Sequence, residues 1–239
     1  MIFSMNGSKF IANFKELTLW QASRNELPEV AAFVVRENYV HHTGRTMGLD
    51  YCRYKGSPYY NEYISVLEEE KKHFEYSISI VVRNQTGTIV GAIRVMKWDE
   101  DPNEITLTKL FGADIVSKSN LLANYKHVWH VGRFAVCKDC EEKVNLFRLL
   151  MVYAISPIFQ YEDGVLLAEI DERLLRVMRL MKIQAEDLTR GVEYLGSVTI
   201  PVMITKLGLQ DFLLENLSFA LNLRISASIE SGHGCYRQR

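Results

Sequence analysis

The chain has 239 residues, 48% hydrophobic and 24% charged, enough to bury a full core and expected to form one domain over 1–239. A formal charge of −1 removes the electrostatic case for a general nucleic-acid binder and points to small molecules or proteins as partners. Four cysteines, Cys52, Cys137, Cys140 and Cys235, are too few and too scattered for a disulfide framework, and "CKDC" has no second pair to complete a metal site, so no metal is expected.

The opening "MIFSMNGSKFIANFKELTLW" lacks the charged start and unbroken apolar core of a signal peptide. No later stretch has the length of a transmembrane segment, so a cytoplasmic protein is expected. Helical spacing with Pro28 near its start predicts a helix over 27–42. After a loop, "YYNEYISVLEEEKKHF" predicts a second helix, whose "EEEKK" (68–72) reads as a solvated end. "YSISIVVRNQTGTIVGAIRVMKW" predicts a hairpin of strands 76–83 and 88–98 around Gly87. The loop "DEDPNE" leads to a mostly helical 105–124, a strand over 127–137 and a helix over roughly 141–160. A strand (164–170), a helix (171–183), a strand region (192–206), a last helix and a short strand complete the chain. This order predicts an α/β fold: a mixed, centrally parallel sheet flanked by helices on both faces.

The strand "HVWHVGRFAV" (127–136) carries the candidate site. Ligands of open α/β sheets bind where neighbouring strands diverge. Gly132 weakens packing for no local gain unless the strand bulges or a ligand approaches its backbone, and a bulge could aim an N–H at a ligand carbonyl. The competing reading is a glycine that makes room for a bulky neighbour. Arg94 and Arg133 cannot shed their charge, so inside apolar strands they need carboxylates or a site. "HH" at 41 and 42 reads as surface histidines, and Arg173, Arg176 and Arg179 as the polar side of an amphipathic helix.

"WHVGRFAV" (129–136) resembles the central tryptophan-glutamate-leucine-serine-arginine-phenylalanine strand of the acyl-homoserine-lactone autoinducer synthases. It is more similar to the related N-acyl amino acid synthases, where glycine precedes the arginine. "VVRENYV" (34–40), "GTIVGAIRVM" (87–96) and "VEYLGSVTIPVMI" (192–204) resemble further stretches of those enzymes in the same order. The resemblance spans about 30–206, leaving 207–239 as a C-terminal extension.

It implies the fold of the GCN5-related N-acyltransferases, a thioester acyl donor, a small-molecule amine acceptor such as an amino acid, and no tightly bound cofactor. His130 stands where the family has glutamate, and "CKDCEEKVNLF" (137–147) lacks the acetyl-coenzyme A phosphate loop, which favours acyl carrier protein over coenzyme A as donor. His130 and Gly132 are the candidate catalytic residues, as base and backbone donor. Arg36, Arg94, Arg133 and Trp129 are candidate substrate-binding residues, the arginines clamping an acceptor carboxylate or holding acidic neighbours such as Glu75. Lys138, Lys143 and Arg148 are candidates for docking an acidic carrier. Two alternatives remain: an S-adenosylmethionine-dependent acyl-homoserine-lactone synthase, and a non-catalytic acyl-ligand-binding module of the same fold.

Overall fold

The computed structural model describes residues 7–98, 105–117 and 125–222. The expectations for 99–104, for 118–124 and for the short strand and Cys235 beyond 222 lie outside the described residues.

The chain opens with a hairpin that the sequence reading passes over, β1 (Lys9–Phe14) and β2 (Leu17–Gln21). Its turn holds Lys15 in the left-handed region at φ 52°, where hairpins usually signal themselves with Asn or Gly. Next come α1 (Leu27–Thr43), entered through Pro28 and closed by Gly44 at φ 71°, a short α2 (Leu49–Arg53) inside the expected loop, and α3 (Tyr60–His73). β3 (Ser77–Arg83) and β4 (Ile89–Lys97) form the expected hairpin. α4 (Thr106–Phe111) and α5 (Asp114–Ser117) occupy the predicted helical stretch. Then follow β5 (His127–Val136), α6 (Lys143–Ile155) with a 3-10 turn at its end, β6 (Gly164–Asp171) and α7 (Glu172–Leu180). The described chain closes with β7 (Glu186–Asp187), β8 (Val192–Tyr194), β9 (Ser197–Thr205), α8 (Lys206–Glu215) and α9 (Leu217–Asn222).

The sheet order is β1-β2-β3-β4-β5-β6-β9-β7, with β8 also paired to β9. Among the described strands only β5 and β6 are parallel, joined by the crossover through α6. The expected centrally parallel sheet is corrected to a mixed, mostly antiparallel one, because β9 returns antiparallel on β6. The strand region 192–206 is in fact a hairpin, broken at Leu195 (φ 48°) and Gly196 (φ 84°). Two positive φ values in a two-residue loop match the right-handed twist of the strands they join.

Side chains of β3 and β4 alternate between two cores. Ile80, Val82, Ile93 and Val95 cluster with Leu146, Leu149 and Leu150 of α6. Val81 and Ala92, on the opposite side, cluster with Val30, Phe33 and Val34 of α1. Burying each such Val, Ile, Leu or Phe side chain contributes about 1.5–3 kcal/mol, so the strands between these layers are held on both faces. No described helix is long and apolar enough to cross a membrane.

The reading of "EEEKK" as a solvated helix end is also corrected, since Glu69 and Glu70 are buried. The reason is helical spacing: Tyr63, Val66, Leu67 and Glu70 fall at i, i+3, i+4 and i+7, so the inward stripe of α3 runs through its acidic end.

Candidate active site

β5 and β6 pair from His127↔Gly164 to His130↔Leu167 and no further. Beyond that point they diverge around a cleft lined by Gly132, Arg133 and Phe134 on one side and Ala168, Glu169 and Asp171 on the other. Here β5 also bulges against β4: Arg94 faces Gly132 and Ala92 faces Ala135, so three steps on one strand match two on the other. The expected bulge is present, but the residue in the left-handed region is Arg133, at φ 59°, and not Gly132. Gly132 serves close packing. A Cβ there would lie 3.1 Å from His130 Cε1 and 3.4 Å from Glu169 Oε1.

Arg133 and Arg94 converge on the acidic end of α3. Arg94 reaches Glu69 at 3.0 Å and Glu70 at 2.7 Å. Arg133 reaches the same two carboxylates at 2.8 and 3.0 Å and donates to Thr106 Oγ1 at 3.2 Å. Lys109 (3.1 Å) and the Thr106 hydroxyl (2.9 Å) complete the shell of Glu69, and Ser79 donates to Glu70 at 3.1 Å. Burial opposes charge on Glu69, yet Arg133, Arg94 and Lys109 outweigh it and hold the carboxyl well below the usual range. Burial likewise works against charge on Arg133, and Glu69 leads the groups that more than compensate, raising its value. Both guanidinium groups are thus engaged by protein carboxylates. The partners are Glu69 and Glu70; Glu75, suggested by the sequence, lies exposed and pairs with Arg24.

His130 is completely enclosed, between Arg94 and Glu169. Its Nδ1 lies 3.5 Å from Arg94 Nη2, and its Nε2 lies 2.7 Å from Glu169 Oε2. Arginine can only donate, so Nδ1 accepts and the ring hydrogen sits on Nε2, donating to Glu169. Glu169 lines the cleft and His130 does not, so His130 reaches the cleft only through Glu169. The sequence reading missed Glu169, although a single acid within the apolar run "GVLLAEI" is a signal of the same kind as Arg133 in β5. It also missed Tyr194, placed in the cleft by the β8–β9 hairpin together with Thr199.

The other expected residues scatter. Trp129 is buried in the core that α6 covers and does not line the cleft. Arg36 bonds Glu37 at 2.7 Å and lies 5.3 Å from the Phe33 ring centre, apart from the arginine cluster. Lys138 is tied to α1, its amide on Glu37 (2.9 Å) and its Nζ on the Val40 carbonyl (3.2 Å). Arg148 lines neither part of the cleft.

The cleft has two parts. The inner chamber, about 80 Å³, holds Gly132, Glu169 and Tyr194 and is backed by Met151, Leu166 and Met178. The outer chamber, about 260 Å³, shares Asn38, Phe134, Asp171 and Leu174 with it. Its rim carries Lys143, Arg173, His41 and His42 beside Glu37. Of the three lysine and arginine residues expected to meet a carrier, Lys143 is the one on this rim. Arg173 and the two histidines join it, although the sequence suggested only an amphipathic face and surface histidines. No group of three His, Cys, Asp or Glu among the described residues is arranged to hold a metal ion.

No family model matches the sequence, and no curated protein matches it. Among solved structures the chain is similar to FeeM, an N-acyl amino acid synthase from uncultured soil microbes, at 12% identity and a TM-score of 0.50 over 83% of this chain and 96% of that one. It is also similar to TofI in a ternary complex with an inhibitor and MTA, at 16% identity and a TM-score of 0.49 over 82% of this chain and 96% of that one. A third similar structure is apo FdhC, described as a nucleotide-linked sugar GNAT, at 10% identity and a TM-score of 0.47 over 88% of this chain and 96% of that one. At such identities the likeness speaks for the fold alone, and the fold is like that of FeeM, as the resemblance implies.

Proposed function

We propose that the protein is an N-acyltransferase that moves an acyl group from a thioester, carried by acyl carrier protein or coenzyme A, to the amine of a small molecule. The observation that carries this reading is the opening of β5 from β6 beside a carboxylate, Glu169, held by a buried imidazole at 2.7 Å. An ammonium must lose a proton before it can attack a thioester. Glu169 is the accessible acceptor for that proton, with His130 as the group that orients it. The amine then adds to the carbonyl carbon, and the bulge makes β5 the candidate source of backbone N–H donors for the developing oxyanion. Collapse releases the thiolate; the phenol of Tyr194, in the same chamber, gives it a proton and is restored by the second proton that the nitrogen sheds as the amide forms, while the proton on Glu169 leaves to solvent. Met151, Leu166 and Met178 offer an apolar wall to the acyl chain. Lys143 and Arg173 on the lining of the outer chamber suit the phosphate of a phosphopantetheine arm, which both donors share.

The test is incubation of the pure protein with long-chain acyl carrier protein, acyl-coenzyme A and a mixture of amines and amino acids, reading amide products by mass spectrometry and free thiol by colour. Amide formation that falls about 10²-fold or more in Glu169→Gln, a typical loss for a general base, is the expected result. Tight retention of the acyl thioester with no thiol release would make the protein an acyl-binding module instead.

A further inference from the structure

We infer that the acceptor is a small cationic amine with no carboxylate beside its nitrogen. This rests on the proposed acyl transfer and names the substrate class of that same cleft. An α-amino acid brings two charges to a site, and its carboxylate needs a cation or a ring of donors when it leaves water. Among the described residues the inner chamber has one cationic side chain in its lining, Arg133. Two of its three nitrogens are committed: Nη2 lies 2.8 Å from Glu69 and bonds Thr106, and Nε lies 3.0 Å from Glu70. Arg94, the other arginine expected to clamp a carboxylate, is fully buried on the same two acids and does not line the chamber.

The carboxylates of the lining are Glu169 and Asp171. Asp171 spends Oδ1 on the amides of Arg173 and Leu174 at the start of α7, which orders it without neutralising it. Glu169 gives Oε2 to the imidazole, while Oε1 is the oxygen nearest to the space above Gly132. Three cations, Arg94, Arg133 and Lys109, share the two acids Glu69 and Glu70 and so offset one of the two lining carboxylates, which leaves the chamber a surplus of one negative charge. That surplus attracts an ammonium and repels a carboxylate held one carbon away from it, and like charges brought together at a binding surface cost several kcal/mol. Asn38, Thr199 and Tyr194 supply neutral polar groups for the rest of a small acceptor.

The experiment uses matched pairs: tyramine and tyrosine, phenethylamine and phenylalanine, 3-methylbutylamine and leucine, together with the amino-acid methyl esters. Binding to the full-length protein is measured by titration calorimetry, and acylation is followed separately with the acyl carrier protein donor. Each amine should bind at least about tenfold more tightly than its amino acid, as one like-charge contact requires. The methyl ester, larger than the acid but without its charge, should recover most of that loss. Glu169→Gln should erase the preference; should that variant fold poorly, Asp171→Asn, which keeps the helix cap, should narrow it. Equal or tighter binding of the amino acids, or no binding of any amine, would overturn the inference. A binding preference without acylation would leave the cation site standing and remove the acyltransferase reading. Acylation of amino acids in preference to amines would do the reverse.

Discussion

Arg133 adopts a left-handed backbone that costs about 1–2 kcal/mol for a residue with a side chain, and two buried carboxylates hold it there. The bulge therefore does not depend on glycine. Gly132 instead keeps space for the His130–Glu169 pair, which makes a small substitution informative. Gly132→Ala places a methyl 3.1 Å from the imidazole and 3.4 Å from the carboxylate, so the imidazole must give by a few tenths of an ångström. Turnover per folded molecule should fall about tenfold or more while overpacking costs about 1–3 kcal/mol, both read from one sample by kinetics and urea unfolding. Unchanged turnover would take the pair out of the mechanism. The acid cluster makes a second prediction. Burial opposes the charge of Glu69 but the surrounding cations prevail, and its folded value lies below its ordinary value of 4.5. A depressed carboxyl contributes stability that is complete above the unfolded value and is lost as pH falls below it. Glu69→Gln should thus lower the melting temperature most at neutral pH, and the gap from wild type should narrow progressively as pH falls below about 4, where the unfolded carboxylate protonates. Parallel melting curves across that range would contradict the cluster's role.

The elements that place the cleft differ in how well the sequence announces them. β3, β4, β5 and β6 are apolar runs bounded by turn residues, and α1 carries its own start and stop in Pro28 and Gly44, so all were legible. The β1–β2 turn and the Leu195-Gly196 turn were not, because each uses a bulky residue at positive φ where propensity expects Gly, Asn or Asp. The site was legible in part: Arg94, Arg133 and Gly132 were marked by being out of place in apolar strands. Glu69 and Glu70 were hidden inside a charge run that composition assigns to solvent, and only the spacing from Tyr63 through Glu70 reveals their direction. Pairing is a tertiary fact, so the sequence could suggest that the arginines need acids without naming which. The late hairpin carries its own test. Gly196 sits at φ 84° with Tyr39 3.2 Å from the place of a Cβ, and its turn sets the position of Tyr194. Gly196→Ala should cost about 1 kcal/mol or more through left-handed strain. It should also lower kcat more than it raises KM for the donor, because the phenol proposed to return a proton to the thiolate is displaced. A rise in KM alone would separate the hairpin from the chemical step.

Across the whole molecule the charged side chains of the cleft are unevenly placed along its length. Lys143 at the start of α6 and Arg173 on α7 line the outer chamber, where Glu37 of α1 and the shared Asp171 stand beside them and burial pushes the His42 imidazole below its usual value, whereas Glu169 lines the inner chamber only. Four elements from distant parts of the chain contribute to this axis, so it follows from the topology that lays α1, α6 and α7 around the diverging strands. A donor with an anionic arm and an uncharged thioester would align with its phosphate outward and its carbonyl against Gly132. Attraction at the rim acts during encounter and is screened by salt over about 8 Å at physiological ionic strength. Lys143→Glu combined with Arg173→Glu should therefore raise KM for the acyl carrier protein about tenfold at low salt and leave kcat within about twofold, because neither residue touches the inner chamber. The penalty should shrink as salt is added. An acyl thioester of pantetheine without its phosphate should serve the wild type and the double variant equally. If the double variant loses kcat with that uncharged donor too, the rim takes part in shaping the inner chamber, and steering of the phosphate is not its function.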